Sequence, residues 1–116
     1  MLYPLKTIQE SLEVKGSRFI AFLIPVEIFD DFLAKIRIHH PKAVHFVNAS
    51  RALNLEGQIV ESFSDDGEPK GTSGMPTLKV LRGYDLIECG LVNVRYFGGT
   101  LLGSGGLVRA YTQSAK

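Results

Sequence analysis

The segment Ser17–Val26 constrains the fold most, because both of its alternating faces are apolar. The side chains form two rows: Ile20, Phe22 and Ile24 on one face, and Phe19, Ala21 and Leu23 on the other. A strand with this pattern lies inside a sheet and is covered on both sides. Pro25 ends it. We therefore expect the domain to be built around a central strand that comes early in the chain.

After this strand the apolar residues adopt a helical period and then return to strands. Ile28, Phe32 and Ile36 recur four residues apart, which predicts an amphipathic helix that stops at Pro41. The other predicted elements are strands at Ala43–Ser50 and Gln58–Ser64 with a turn at Asn54–Gly57, a helix from Thr72–Ser73 to Gly83, a strand at Leu91–Phe97, a helix from Gly105 or Gly106 onward, and an extra strand near Leu12–Lys15.

This order of elements predicts a single domain over residues 1–116, of the α+β class. We expect a two-layer sandwich in which a mixed sheet carries its helices on one face. The other face would be open, or covered by something outside this chain.

Charge and cysteine content narrow the possible classes of protein. The net charge is +1, so any site for an anionic partner has to be local. Cys89 is the only cysteine, which excludes an intrachain disulfide and a cysteine-based zinc site. The longest apolar stretch, Phe19–Val26, is far shorter than the roughly 20 residues of a membrane helix, and no signal-peptide pattern is present. We expect a cytoplasmic protein that is not embedded in a membrane.

Ser64–Pro76, here called the acidic segment, carries three carboxylates followed by glycines and hydroxyls. Its candidate site residues are Asp65, Asp66, Glu68, Lys70, Gly71, Thr72 and Ser73. Paired carboxylates can hold Mg²⁺ or act as acid and base. The interpretation we favour is structural: aspartates bond to their own backbone in a turn, and Thr72 or Ser73 caps the helix that follows.

Arg95–Tyr111, here called the glycine segment, runs from a strand through five glycines into a helix. Its candidate anion- or RNA-binding residues are Arg95, Gly98, Gly99, Gly103, Ser104, Gly105, Gly106 and Arg109. Free N–H groups at a helix start favour an anion, and glycine lets it approach closely. We predict that the N–H groups of Ser104–Leu107 point outward and that Arg95 or Arg109 reaches the same space. If the glycines serve packing alone, these N–H groups are buried and both arginines are paired elsewhere.

The two segments resemble the signatures of the IMPACT family, whose bacterial members include the YigZ-like proteins. The matching stretches read SDDGEPKGTSGMP at 64–76 and VRYFGGTLLGSGGLVRAY at 94–111, with KGSRFI at 15–20 and PKAVH at 41–45. The likeness spans nearly the whole chain. Met75 stands where an arginine is usual and Lys70 where a small residue is common, so no role of that arginine is carried over to this chain.

The resemblance implies the fold of the second domain of ribosomal protein S5, which a domain of elongation factor G shares, with a left-handed crossover. Eukaryotic members of the family act in translational control by binding a protein that activates a stress-responsive kinase. For bacterial members, nucleic-acid or ribosome binding is inferred from the fold. Some bacterial relatives carry a second, ferredoxin-like domain, which would lie beyond this chain.

Three functions are compatible with the sequence. The one we favour is a non-enzymatic, translation-associated regulatory domain that binds RNA, the ribosome or a translation-control protein and uses no cofactor. The alternative is a Mg-dependent enzyme for a phosphorylated or nucleotide ligand, with the metal on the acidic segment; no catalytic residue is assigned. The third is a protein-interaction domain whose open sheet face presents Leu91, Asn93, Arg95 and Phe97. The sequence leaves the oligomeric state open.

Overall fold

The structure, a computed structural model, describes residues 3–115. Its elements are β1 (Ile8–Val14), β2 (Ser17–Pro25), α1 (Phe29–His39), β3 (His45–Leu53), β4 (Ile59–Ser64), α2 (Gly74–Gly83), β5 (Cys89–Tyr96) and α3 (Gly103–Ala115), with a 3₁₀ turn at Val26–Ile28. Every predicted element is present, although β1 is longer than expected and α3 begins earlier. None of the helices within residues 3–115 is long and apolar enough to cross a membrane.

The five strands form one sheet in the order β1-β2-β5-β3-β4. All four neighbouring pairs are antiparallel. The predicted interior position of the first apolar strand is confirmed, because β2 lies between β1 and β5. The α+β class is also confirmed, but the sheet is antiparallel throughout rather than mixed.

Helices cover both faces of the sheet, which corrects the expected two-layer arrangement with all helices on one face. Phe29 and Ile36 of α1 pack on the face that carries Ile20, Phe22 and Val94. Two further core clusters lie on the opposite face. They join α2 and α3 to the sheet through Ala21, Leu91, Leu78 and Leu81 in one cluster and Phe19, Val47, Leu107 and Tyr111 in the other. The physical reason is that β2 is apolar on both faces, so each face has to be buried.

The chain makes two crossovers between parallel strands of this sheet. One runs from β2 through α1 to β3, and the other runs from β4 through α2 to β5. They start from strands of opposite direction, move in opposite senses across the sheet and pass over opposite faces. Each of these three reversals inverts the handedness of a crossover. Because their number is odd, the two crossovers have opposite hands, and one of them is left-handed, as the resemblance implies.

Candidate functional site

Asp65 organises the start of α2. Its Oδ1 accepts from the N–H groups of Ser73 at 3.2 Å and Gly74 at 2.8 Å, and its Oδ2 accepts from that of Gly71 at 3.1 Å. Ser73 occupies the N-cap position but makes no capping hydrogen bond through its own side chain. The predicted cap by Thr72 or Ser73 is therefore corrected: a carboxylate from eight residues upstream serves the first turn of α2.

Asp66 joins the acidic segment to β3 and α1. Its Oδ2 accepts from the backbone N–H of Phe46 at 2.7 Å, and its Oδ1 lies 3.3 Å from Nη2 of Arg37. The carbonyl of Asp66 accepts from Nδ1 of His45 at 2.8 Å. Asp66 thus fixes the segment against its neighbours in the fold.

Glu68 lies at the centre of a buried polar cluster. Its Oε2 accepts from Nη1 of Arg95 and from the hydroxyl of Tyr111, both at 2.6 Å. Nε2 of His45 lies 3.3 Å from its Oε1. The side chains of Glu68 and Arg95 are 3% and 5% exposed, so the pair is almost fully withdrawn from water. Burial, followed by the hydrogen bond to Glu68, raises the pKa of Tyr111, which keeps the hydroxyl protonated as a donor.

His45 completes this cluster with both of its ring nitrogens. Nδ1 faces a carbonyl and Nε2 faces a carboxylate, so both contacts are hydrogen bonds only when the ring carries both protons. The sequence analysis did not select His45, Ser17 or Tyr111 as candidate site residues. The available signal was the resemblance itself, since all three residues fall within its matching stretches.

The three carboxylates of the acidic segment are directed to three different places, namely the start of α2, the start of β3, and Arg95. Within residues 3–115, no group of three or more His, Cys, Asp or Glu side chains is arranged to hold a metal ion. The alternative of a Mg-dependent enzyme therefore lacks the ligand set that it was built on.

The glycine segment starts with two backbones in close contact. A Cβ atom on Gly98 would lie 2.1 Å from the carbonyl carbon of Gly16, so no side chain fits at this position. The N–H of Gly98 also donates to Oγ of Ser17 at 3.2 Å. Gly99 and Gly103, by contrast, have positive φ angles, and a Cβ on either would meet no neighbouring atom within 4 Å. Gly98 therefore packs the loop, while the residues after it leave the loop open.

The first turn of α3 is exposed, and no cap for it is found among the described residues. Because the helix begins at Gly103, the N–H groups without a helical partner are those of Gly103, Ser104 and Gly105, which shifts the predicted range Ser104–Leu107 toward the N-terminus. Within residues 3–115, no carbonyl or side chain accepts from these three groups. No acidic residue follows Glu88 in the sequence, so the glycine segment supplies no carboxylate of its own to the positive end of this helix.

A cleft of about 370 Å³ opens between this turn and the acidic segment. The residues that matter for its chemistry are His45, Glu68, Arg95, Phe97, Gly103 and Ser104. Arg95 was predicted to reach an anion freely, but its Nη1 is held by Glu68 and its Nη2 donates to Oγ of Ser17 at 3.3 Å. Its Nε is buried and has no hydrogen-bond partner among the described residues. The guanidinium of Arg95 therefore keeps one buried N–H without a partner among the described residues.

Arg109 lies beside the first turn rather than inside the cleft. Its Nη1 is 3.2 Å from the position that a Cβ of Gly105 would take, so the guanidinium folds back one turn along α3. It makes no ion pair with any residue between 3 and 115. Lys70 is likewise exposed, and it follows Pro69, which lines the cleft. Both cations are available to an anion.

Cys89, at the end of β5 opposite the cleft, and most of the proposed open sheet face are buried. Cys89 is fully buried, and burial raises the pKa of its thiol to about 11. The open sheet face of the third hypothesis is absent from the described residues, because Leu91, Asn93 and Arg95 are buried beneath the helices. Of that set only Phe97 remains exposed, at 49%.

Comparison with known proteins decides the family. Residues 15–116 match the family model described as the Impact N-terminal domain. The chain belongs to the IMPACT family. The predicted resemblance is thereby confirmed.

The curated relatives that the chain matches are also members of the IMPACT family. An IMPACT family member of Haemophilus influenzae is 47% identical over 113 residues, which cover 95% of this chain and 55% of that protein. The IMPACT family member YigZ of Escherichia coli is 43% identical, with the same coverage. The chain thus spans about half the length of these relatives.

Two solved structures share the fold. A crystal structure described as that of a hypothetical protein superposes with a TM-score of 0.89 at 41% identity, covering 97% of this chain and 56% of the other. The structure of the two-domain translational regulator Yih1 superposes with a TM-score of 0.53 at 24% identity, covering 95% of this chain and 43% of the other. The second likeness concerns the fold alone.

Proposed function

We propose that this domain is a non-enzymatic binding module of translational control that holds a phosphate group of RNA at the start of α3. The observation that carries the proposal is the uncapped first turn of α3, which opens onto a cleft walled by buried Arg95. Free amides at a helix start donate to phosphate oxygens, and the helix dipole favours their negative charge.

The distribution of charge supports an anionic ligand despite the net charge of +1. The nearest carboxylates, those of the acidic segment, are engaged by backbone amides, Arg37 and Arg95. Lys70 and Arg109 have no ion-pair partner within residues 3–115. Lys70 follows Pro69, which lines the cleft, and Arg109 lies beside Gly105 in the first turn of α3. Two exposed cations therefore lie close to the free amides.

The choice of RNA in the translation machinery rests on two lines of support. The sequence assigns no catalytic residue, and a phosphate site without one suits binding rather than turnover. One solved structure with this fold is described as a translational regulator, which makes translation the first place to look for the partner.

The test is the affinity of the chain for a labelled uridine oligomer of about ten nucleotides, at about 50 and 200 mM salt. We expect binding that weakens steeply with salt. Gly105→Val places a side chain against Arg109 in the first turn and should weaken binding about tenfold. Arg109→Ala should reduce the salt slope by about one phosphate contact.

Matched controls are available on α2. Gly83→Val changes a helical glycine with open space around it, and Lys79→Ala removes an exposed cation that is remote from the cleft. Both should bind like the wild-type chain. The proposal fails if the wild-type chain does not bind, or if folded Gly105→Val and Arg109→Ala both bind as tightly as wild type with an unchanged slope.

A further inference from the structure

Building on the proposed function, we infer that the cleft accepts one unpaired base of single-stranded RNA, stacked on Phe97, while the phosphate of that nucleotide lies at the first turn of α3. The ligand is thereby narrowed from RNA in general to an unstacked nucleotide.

Phe97 has the position and exposure of a stacking platform. It follows the last residue of β5, lines the cleft and is 49% exposed. The guanidinium carbon of Arg95 lies 5.8 Å from its ring centre and 5.6 Å from the ring centre of buried Phe19. The cation of Arg95 thus contacts both a buried and a half-exposed aromatic ring. A base stacked on Phe97 would add a further ring to this group on the solvent side.

The size of the cleft suits one base and excludes a duplex. Its volume of about 370 Å³ is at the lower end of ligand pockets. The base pairs of an A-form duplex are stacked inside the helix, and its narrow major groove is closed to side chains. Only a base that is free to turn out of its strand can enter a recess of this size.

Different parts of the cleft wall suit the base and the phosphate of a nucleotide. Leu101 and Leu102 supply apolar surface beside Phe97. Among the described residues, Oε1 of Glu68 receives only the contact from His45, so it can accept another N–H. Gly103 and Ser104, which carry free amides, line the same cleft. Base and phosphate can therefore be held together within one recess.

The sequence contains no tryptophan, which provides a direct probe. Phe97→Trp places the only indole on the proposed platform, and Tyr84→Trp places it on an exposed position just after α2, remote from the cleft. Addition of the uridine oligomer should quench the indole fluorescence of the Phe97→Trp variant and leave that of the Tyr84→Trp variant unchanged. Phe97→Leu, which keeps apolar bulk without a ring, should weaken binding of the oligomer about tenfold or more.

A duplex of the same length separates this inference from the proposed function. We expect Phe97→Leu to bind the duplex as the wild-type chain does, because no base stacks on the ring. Salt-dependent binding of the oligomer without quenching in the Phe97→Trp variant, and without loss of affinity in Phe97→Leu, would overturn the stacking inference and leave the phosphate site standing. Absence of any binding by the wild-type chain would overturn both.

Discussion

The acidic segment and the glycine segment both lead a loop into a helix, yet they leave the helix start in opposite states. At α2, Asp65 occupies the first-turn amides from within the chain. At α3, the amides of Gly103–Gly105 meet no acceptor among the described residues. The same backbone geometry is thus closed by a carboxylate in one place and left open in the other.

The difference teaches that glycine content does not by itself mark a binding loop. What distinguishes the two segments is where their acidic side chains lie. The acidic segment supplies its own anion, and its remaining carboxylates hold Arg37 and Arg95. The glycine segment has no carboxylate, so an anion has to come from outside the chain.

The largest effect is expected for Glu68→Gln, which tests whether the acidic segment is structural. Removing the charge leaves the guanidinium of Arg95 buried without a counter-ion. It also replaces the carboxylate that accepts from the hydroxyl of Tyr111 by an amide. We expect a loss of about 3–5 kcal/mol in the free energy of unfolding, measured by urea denaturation. Glu56→Gln, on the exposed turn after β3, should change it by less than about 0.5 kcal/mol. Equal values for the two variants would contradict a structural role.

A smaller effect should separate two neighbouring positions of the glycine segment. Gly98→Ala forces a methyl group into the backbone of Gly16 and should cost about 2–3 kcal/mol. Gly99→Ala meets no neighbouring atom and pays only for its positive φ angle, about 1 kcal/mol. Thermal unfolding of both variants gives the comparison. The division of the loop into a packed start and an open continuation is untenable if Gly99→Ala is the more destabilised.

The next largest change in stability is expected when the cap of α2 is removed. Asp65→Ala frees three backbone amides at once and should cost about 2 kcal/mol, because the acceptor is charged. Ser73→Ala removes a hydroxyl that makes no capping hydrogen bond, so it should cost less. Chemical denaturation of the two variants shows which of them loses more stability. The reverse order would restore Ser73 as the cap and reopen Asp65 as a candidate ligand.

The smallest effect is expected in the pH dependence of stability, through His40 at the end of the sheet that carries the glycine segment. Burial, then the positive charges of His39 and Arg18, lower the pKa of His40. As the pH falls below about 6.5, the unfolded chain takes up a proton that the folded chain resists, so His40 makes stability decline toward acid pH. His40→Gln should show a flatter dependence of stability on pH between about 7 and 5. An unchanged slope would mean that folding does not lower the pKa of His40.

Much of the fold could be predicted from local pattern. The two apolar rows of β2 correctly indicated cover on both faces, whereas the order of elements suggested helices on one face. The apolar rows were the better guide because each apolar face must be buried somewhere, while element order does not say on which side a crossover passes. The buried face of β5 beneath α2 and α3 could not be recognised for the same reason.

The candidate site was less predictable. Sequence placed the glycine segment at a helix start, and the structure agrees within two or three residues. The partnership of Glu68 with Arg95 and Tyr111 joins residues 27 and 43 positions apart, and no periodicity reports such contacts. The cap from Asp65 was likewise hidden, because Ser73 is a favoured N-cap residue by type and the competing carboxylate lies eight residues away.

The most direct test of the open and closed helix starts is the response of individual backbone amides to RNA. In a nitrogen-15-labelled chain titrated with the uridine oligomer, amide resonances of Gly103, Ser104 and Gly105 should move, and those of Gly71, Ser73 and Gly74 should stay in place. Shifts at the start of α2 with none at the start of α3 would contradict the account. So would shifts confined to the amides around the ion pair of Arg82, in the last turn of α2, with Glu61 of β4.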